Sequence, residues 1–450
     1  MRALDQHFGV TTSGSTIRQE IIGGLTTFAT MSYIVFVQPT VLGAAGMPFG
    51  GVLLATCVAA AIGCFLMGTL ARYPFSLAPG MGENFFFAFV ICGTMGFSWQ
   101  NGLGITFIAG LLFLGLSLFG VREKIMNVLP EGLKNAIGPA IGIFIAFVGM
   151  QWGGIVTPNP ATIVSLGDIT RGAPLTTLGG VLLIAALIAR GIRGGILIGI
   201  LATCLAGYLS GIMPAPADIP RVSGETVFAL RFDELRLNWQ DALLAIGLLF
   251  FMDLFDTVGT LVGVSKQAGF IGEDGKLPRA GRAFFSDAAA SCAGGLLGTS
   301  TLTTYVESAT GVAAGARTGL AAIVTGICFL FAILLAPVVR FVGQDIGPAF
   351  YGVEATAPHI AMYPGVAPAL IVVGFLMMAP LRNVDWEDIT ESLPAFLTIA
   401  MMVFGFAIHE GISAGCVSFV AVKVAAGRFK DVHPIMYVIA ILLAARYVLM

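Results

Sequence analysis

The sequence predicts an all-α polytopic membrane protein: fourteen transmembrane segments arranged as two inverted seven-segment repeats. Three observations carry that prediction. Only 11% of the chain is charged and 57% is hydrophobic, whereas a soluble domain carries about 25% charged residues. Apolar stretches of membrane-spanning length recur from one end to the other, with loops too short to hide a soluble domain. Two of those stretches are broken by Pro, Gly, Ser and Thr at matching places in the two halves, a pattern that points to a transporter's midplane site. Glycine fits the same picture. It supplies 59 of the 450 residues, well above the usual ~7%, and small residues allow close helix approach and broken helices in lipid.

In chain order, the polar start MRALDQHFGVTTSGST lacks the apolar core of a cleaved signal peptide, so none is expected. The first seven segments begin near residues 20, 50, 78, 101, 135, 174 and 194. The second seven begin near 241, 282, 303, 318, 366, 389 and 410. A last apolar stretch, 434–449, contains Arg446 and either lies along the surface or makes a fifteenth pass. Segment three reads ARYPFSLAPGMGENFFFAFVICG, where Pro74, Pro79, Gly80 and Gly82 forbid a regular helix before about Met81. Segment ten, GGLLGTSTLTTYVES, favours extended or capping backbone before a short helix. Each break lies about sixty residues into its half, which is what suggests the inverted repeat. Each is expected as a half-helix preceded by a short extended stretch, its free N–H groups suiting carbonyl or ring-nitrogen acceptors.

The positive-inside rule supports this cut. With the N-terminus in the cytoplasm, the outside holds only Arg171, Arg221, Arg231, Arg236 and Arg340, and almost all other Lys and Arg fall inside. In the outer stretch 214–240, Asp218, Glu225, Asp233 and Glu234 largely cancel the arginines. A multi-pass protein of the plasma membrane (a cell inner membrane) is therefore expected. The net charge of −2 gives no hint of a nucleic-acid partner.

Acidic residues inside apolar segments carry the chemistry. A carboxylate at membrane depth costs on the order of 2.5–3.5 kcal/mol on insertion scales, so a chain rarely keeps one without using it. Glu307 stands in GTSTLTTYVESATGVAAGARTG, far from any basic residue, and Asp253 and Asp256 stand in LLAIGLLFFMDLFDTVGTLVGV. Two isolated acidic sites imply that something polar, a proton or both cross here. A helix-packing carboxylate satisfied by Thr257 or Thr260 is the alternative for Asp256, and a helix cap for Glu307. Asp253, one turn before Asp256, either touches a ligand or supports it. Glu83 and Asn84 open the first half-helix, where a carboxylate also suits the helix dipole; the functional alternative is Asn84 as donor and acceptor and Glu83 as holder of a proton or cation. Phe85 is a candidate for stacking, with Phe86 and Phe87 facing lipid or core. Thr303, Thr304 and Ser308 flank Glu307 at the break, and Thr26, Thr27 and Thr30 either line the site or bond their own helix carbonyls.

Other features carry less. The seven Cys stand singly, without CxxC spacing, and support neither a disulfide framework nor a zinc site. GFIGEDGKLPR has too few acids at the right spacing for a calcium loop. His7, His359, His409 and His433 are scattered, so no metal ligand set is expected, and His409–Glu410 is expected to be solvent-exposed. Asp287 is expected in a surface ion pair near Arg279 and Arg282.

At these residues the chain resembles the nucleobase–cation symporters of the nucleobase–ascorbate transporter superfamily, and within it the AzgA-like adenine/guanine/hypoxanthine permeases. GLTTFATMSYIVFVQPTVL is similar to the family's first segment, APGMGENFFFAF to its third, FMDLFDTVGTLVGVSKQAGF to its eighth and GTSTLTTYVESATGVAAGARTGL to its tenth. DWEDITESLPAFLTIAMMVFGFAIHEGISAG resembles the hairpin of segments 13 and 14. The resemblance implies a core domain (20–120 and 241–342) that moves elevator-fashion against a gate domain (135–213 and 366–427), between a 1–19 tail, the 214–240 loop and a 428–450 tail. It implies proton-coupled import of a purine base, with Asp256 (by DTVGT) and Glu307 (by TTYxE) as base acceptors. Glu307, Asp256 and Asp253 become the proton-coupling candidates, and Glu83, Asn84, Thr304, Ser308, Thr30 and Phe85 further substrate contacts. One departure stands out: APGMG is often followed by Leu-Asn-Ala, and here by Glu83-Asn84-Phe85. No cofactor is implied, sodium in place of the proton stays open, and a homodimer is implied by likeness alone. A xanthine/uric acid or uracil permease, an anion exchanger or channel on the same architecture, and a membrane-embedded enzyme are the competing classes. The last lacks any nucleophile–base pair or metal cluster.

Overall fold

A computed structural model describes residues 5, 7–118, 130–170, 172–215, 220–272, 277–347 and 361–449, without the side chains of 255, 262, 266, 267 and 446–449. Of the positions singled out above, Arg2, Arg122, Lys124, Arg171, Asp218, Lys276 and His359 lie outside the described residues, as do the side chains of Lys266 and Arg446.

The chain is helical at each expected segment. In order run α1 (Ile17–Met31), α2 (Tyr33–Gly43), α3 (Phe49–Leu66), α4 (Met81–Phe85), α5 (Trp99–Leu118), α6 (Glu131–Trp152), α7 (Gly172–Ala189), α8 (Gly195–Leu209), α9 (Asp233–Leu237) and α10 (Trp239–Ala268). Then follow α11 (Ala280–Leu297), α12 (Ser308–Ala313), α13 (Gly319–Ala332), α14 (Ala336–Val342), α15 (Ala367–Leu376), α16 (Ile389–Phe404), α17 (Ile408–Ala425) and α18 (Pro434–Leu449). The strands are β1 (Leu77–Pro79), β2 (Val156–Asn159), β3 (Ile163–Leu166) and β4 (Leu302–Thr304). Among the described residues, eight helical stretches are long and apolar enough to cross a bilayer alone, and five shorter apolar helices accompany them. The half-helices stand where the Pro, Gly, Ser and Thr clusters predict them: extended β1 leads into α4, and extended β4 leads towards α12. Beyond α4 the chain continues as π-helix over Phe86–Thr94.

Compactness divides the chain into Met1–Phe119 with Trp152–Ala369, and Gly120–Gln151 with Leu370–Met450. In the first unit α1 packs on α12 and α13, and α11 packs on α3, α5 and β4. The Thr16 side chain caps α1 by accepting from Gln19 N at 3.2 Å. Glu20, fully buried, accepts from the backbone N–H of Arg317 (2.9 Å) and Thr318 (3.2 Å) just before α13. Those donors are otherwise orphans at a helix start, so this buried acid serves the fold. The stretch 220–237 is bound down rather than free. Thr226 Oγ1 donates to Gly51 O or Leu297 O (3.2 and 2.9 Å), Arg231 N to Gln100 O (2.9 Å), and Ser98 N to Glu234 Oε2 (2.8 Å). The β2–β3 hairpin was not foreseen; Asn159 Oδ1 turns it by accepting from Ala161 N and Thr162 N.

In the second unit α16 packs along α17, and α18 on α17. His409 corrects the sequence reading. It is 2% exposed, with Nε2 3.0 Å from Glu410 Oε1, because the first turn of α17 is buried rather than projecting. At the start of α16 the Asp388 carboxylate accepts from Thr390 N (2.9 Å), Thr390 Oγ1 (2.8 Å) and Arg428 Nη1 (2.6 Å). The Thr390 hydrogen bonds, with the Arg428 charge behind them, hold this carboxyl down at about 2.

A carboxyl depressed in the folded state stabilises above its ordinary range and loses that contribution as the pH falls through the folded value. Thermal unfolding in detergent is therefore expected to show a lower Tm for Asp388→Asn at pH 7, with the gap to the unaltered chain closing between about pH 4 and pH 2. A gap that persists unchanged to pH 2 would contradict the capping role.

Candidate functional site

The two interrupted segments meet as an antiparallel pair, Leu77 opposite Thr304, Ala78 opposite Thr303 and Pro79 opposite Leu302. The ladder extends past both strands through Gly80 N to Thr301 O and Tyr305 N to Ser76 O, each 3.0 Å. Serines complete it. Ser76 N donates to Ser308 Oγ (3.0 Å), and Leu302 N donates to Ser291 Oγ (3.1 Å), whose hydroxyl lies 2.7 Å from Leu302 O and 3.0 Å from Asp253 Oδ2. Backbone removed from water must find partners inside the protein. Here each break satisfies the other, so both segments can halt mid-course.

Around that pair stand the sequence-predicted residues. Glu307 sits at the start of α12, partly exposed, and accepts from Tyr33 Oη of α2 at 2.8 Å. Asp256, half-buried on α10, is reached by the Thr303 hydroxyl. It also lies within electrostatic range of Glu83, Glu307, Tyr33 and Tyr305. Glu83 is the third residue of α4 and is buried. Asn84 is buried beside it, its Oδ1 accepting from Ser300 Oγ, while its Nδ2 has no partner among the described residues. Phe85 is buried and stacks on Phe89 with centroids 5.7 Å apart. Phe86 and Phe87 are core residues too.

The remaining predicted residues hold the frame. Ser308 ties the strands as described. Thr30 bonds its own helix at Thr26 O and Thr27 O (3.1 and 2.9 Å) and meets Thr310 Oγ1 at 3.0 Å. Thr304 Oγ1 donates to Asp287 Oδ1 at 3.3 Å. Asp253, 1% exposed, accepts from Ser291 and so is tied to the β4 strand through that hydroxyl.

Asp287 corrects the sequence reading. It is fully buried on α11 and accepts from Thr257 Oγ1 at 2.7 Å as well as from Thr304. Nearness in sequence to Arg279 and Arg282 suggested an exposed pair, but packing of α11 against β4 turns Asp287 inward. Thr257 also meets Thr303 Oγ1 at 3.1 Å, so hydroxyls link Asp287 to Asp256. Sequence reasoning missed Tyr33 and Gln38. Gln38 Nε2 donates to Thr299 Oγ1 (2.8 Å) or Ser300 Oγ (3.3 Å) behind Asn84. Nothing in sequence marks these two, since their partners lie over 250 positions away.

Among the described residues no ion pair engages Asp256, Glu307 or Glu83. The crossing thus presents carboxylate and hydroxyl acceptors, the Tyr33 hydroxyl and one free amide donor. That set suits a polar, neutral molecule bearing N–H groups. A separate open recess of about 550 Å³, lined in part by Trp99, Glu225, Phe228 and Arg231, contains none of these carboxylates.

The fold is similar to those of two proteins of known structure. It superposes on the transmembrane domain of a cyanobacterium bicarbonate transporter, BicA, with a TM-score of 0.63 at 13% identity, covering 88% of this chain and 96% of that one. The TM-score with SLC26A9 is 0.62 at 10% identity, covering 95% and 69%. Residues 18–413 match the profile of the Permease family, Xan_ur_permease, and the chain belongs to that family. It is 43% identical to the guanine/hypoxanthine permease PbuG of Bacillus subtilis, over 94% of both chains. It is 39% identical to the adenine permease AdeP of Escherichia coli, over 99% of this chain and 96% of that one. The resemblance read from the motifs is borne out.

Ser291 is the hub of the crossing and is expected to show in stability. Ser291→Ala leaves Leu302 N and the Asp253 side chain short of a partner, at a cost of about 1–3 kcal/mol. Ser286→Ala removes only a hydroxyl that bonds Arg282 O in its own helix, so it is close to neutral. Equal Tm values for the two variants would contradict the assignment.

Proposed function

We propose that the chain is a secondary active transporter that imports purine nucleobases across the cell inner membrane, N-terminus in the cytoplasm, coupled to proton entry. The observation that carries this is the pair Asp256 and Glu307 at the β1–β4 crossing, two carboxylates within electrostatic range of each other, each reached by a hydroxyl, and with no basic side chain paired to either among the described residues. Purines offer ring and exocyclic N–H groups that a carboxylate accepts, in bidentate fashion where geometry allows. The named relatives that resemble the chain over nearly its full length carry adenine or guanine and hypoxanthine, and a purine ring is what those share.

Asp256 takes the N–H edge of the base, steadied by the Thr303 hydroxyl, while Asp253, one turn back, is a further candidate for proton coupling. Glu307, held by Tyr33, accepts from the base and carries the coupled proton. The base enters between the half-helices, and the core domain of 20–120 and 241–342 carries it inward in an elevator-like step. Charge disfavours the anion-exchanger reading: anionic substrate would face carboxylates with no compensating cation among the described residues. No bond is made or broken, so no catalytic residue is required. A homodimer belongs to the same reading through family likeness.

Uptake of radiolabelled adenine by cells lacking their own permeases, at two pH values, tests this. Competition by unlabelled adenine, hypoxanthine or guanine is expected, and strong competition by uracil with none by adenine would overturn the purine assignment. For the purified protein, Asp256→Ala is expected to weaken base binding roughly ten- to a hundredfold, the loss of a charged hydrogen bond of about 1.5–3 kcal/mol. Glu307→Gln is expected to retain folding and lose the pH dependence of uptake. Full pH dependence in that variant would remove Glu307 from proton coupling.

A further inference from the structure

Glu83 has no task in the transport cycle so far. Its side chain is 2% exposed, and Oε2 has no hydrogen-bond partner among the described residues. The carboxyl folds back over Gly80, where a Cβ would lie 2.1 Å from Glu83 Oε2 and 2.9 Å from Thr303 Cγ2. Only glycine leaves that space, which the Glu83 carboxyl shares with the Thr303 methyl, and the hydroxyl of Thr303 holds Asp256. The charged and titratable groups facing Glu83 are Asp256 on α10, Asp287 on α11 and Tyr305 between β4 and α12, with Glu307 beyond Asp256. None of them brings a positive charge. An ionised carboxylate is held away from water only with a counter-charge, and a third negative charge beside Asp256 and Glu307 raises that demand. One carboxylate left without a counter-charge calls for one positive charge.

We propose that Glu83 is a second exchangeable charge site, taking up one monovalent cation, a proton or a sodium ion, that crosses with the base in addition to the charge carried at Glu307. This rests on the transport reading above. Because a purine base is neutral near pH 7, the number of charges moved per base then equals the number of cations, two in this chain and one once Glu83 is neutralised.

The test reconstitutes the full chain in proteoliposomes and reads steady-state accumulation of labelled adenine against an imposed potassium diffusion potential, with equal pH on both sides. Each charge moved multiplies accumulation tenfold per about 59 mV. At that potential the unaltered chain is expected to accumulate roughly 100-fold, Glu83→Gln roughly 10-fold, and Glu83→Asp to regain the steeper dependence. Repeating the measurement without sodium separates the ions: an unchanged slope assigns the second charge to a proton, and a slope reduced to that of Glu83→Gln assigns it to sodium. The same slope for the unaltered chain and Glu83→Gln overturns the proposal, as does a single charge per base in the unaltered chain, whether or not the variant folds. Absence of adenine accumulation under any gradient would instead strike at the purine transport reading itself.

Discussion

Everything at the site hangs on the antiparallel pairing of β1 with β4. Two short strands, Leu77–Pro79 and Leu302–Thr304, belong to segments more than two hundred residues apart and supply one another's backbone partners. Broken helices are tolerated within a membrane protein only where their freed N–H and C=O groups are satisfied inside the protein. Ser76, Ser291 and Ser308 add the bonds that three residue pairs cannot. With the backbone settled in this way, α4 and α12 can begin in the protein's interior, and Glu83 and Glu307 stand at their starts.

The acids around that pair divide by what they touch. Glu20, Asp253 and Asp287 accept from backbone N–H groups or hydroxyls of neighbouring elements and so fix the frame. Asp256 and Glu307 each accept from one side-chain hydroxyl, and Glu83 Oε2 from no group among the described residues. The first group explains how a chain that is 11% charged can bury carboxylates for stability. The second keeps acceptor capacity for something else, which is the physical basis of the transport reading. The layering also limits substitution: Asp253 and Asp287 reach β4 through Ser291 and Thr304, so removing either is expected to disturb strand placement first.

The fold was largely legible in the sequence because insertion energetics leave strong marks. Apolar runs locate the helices, Pro and Gly locate the first break, and Ser and Thr the second. Glu307 and Asp256 stand out as candidates for the same reason, since an acid in an apolar run is costly. What was not legible depends on distant partners. Tyr33, Gln38 and Ser291 are ordinary polar residues until the strands pair. Asp287 was misread because sequence proximity to arginines stood in for packing, and His409 because a chain turn was equated with solvent. The β2–β3 hairpin lies in a connection where apolar periodicity carries no signal.

The most direct measurement of the central claim is a cryo-electron microscopy map of the full chain with bound adenine. The account predicts density for the base at the β1–β4 crossing, with N–H edges within hydrogen-bond distance of Asp256 and Glu307. A base resolved elsewhere, with both carboxylates bonded only to protein groups, would contradict it.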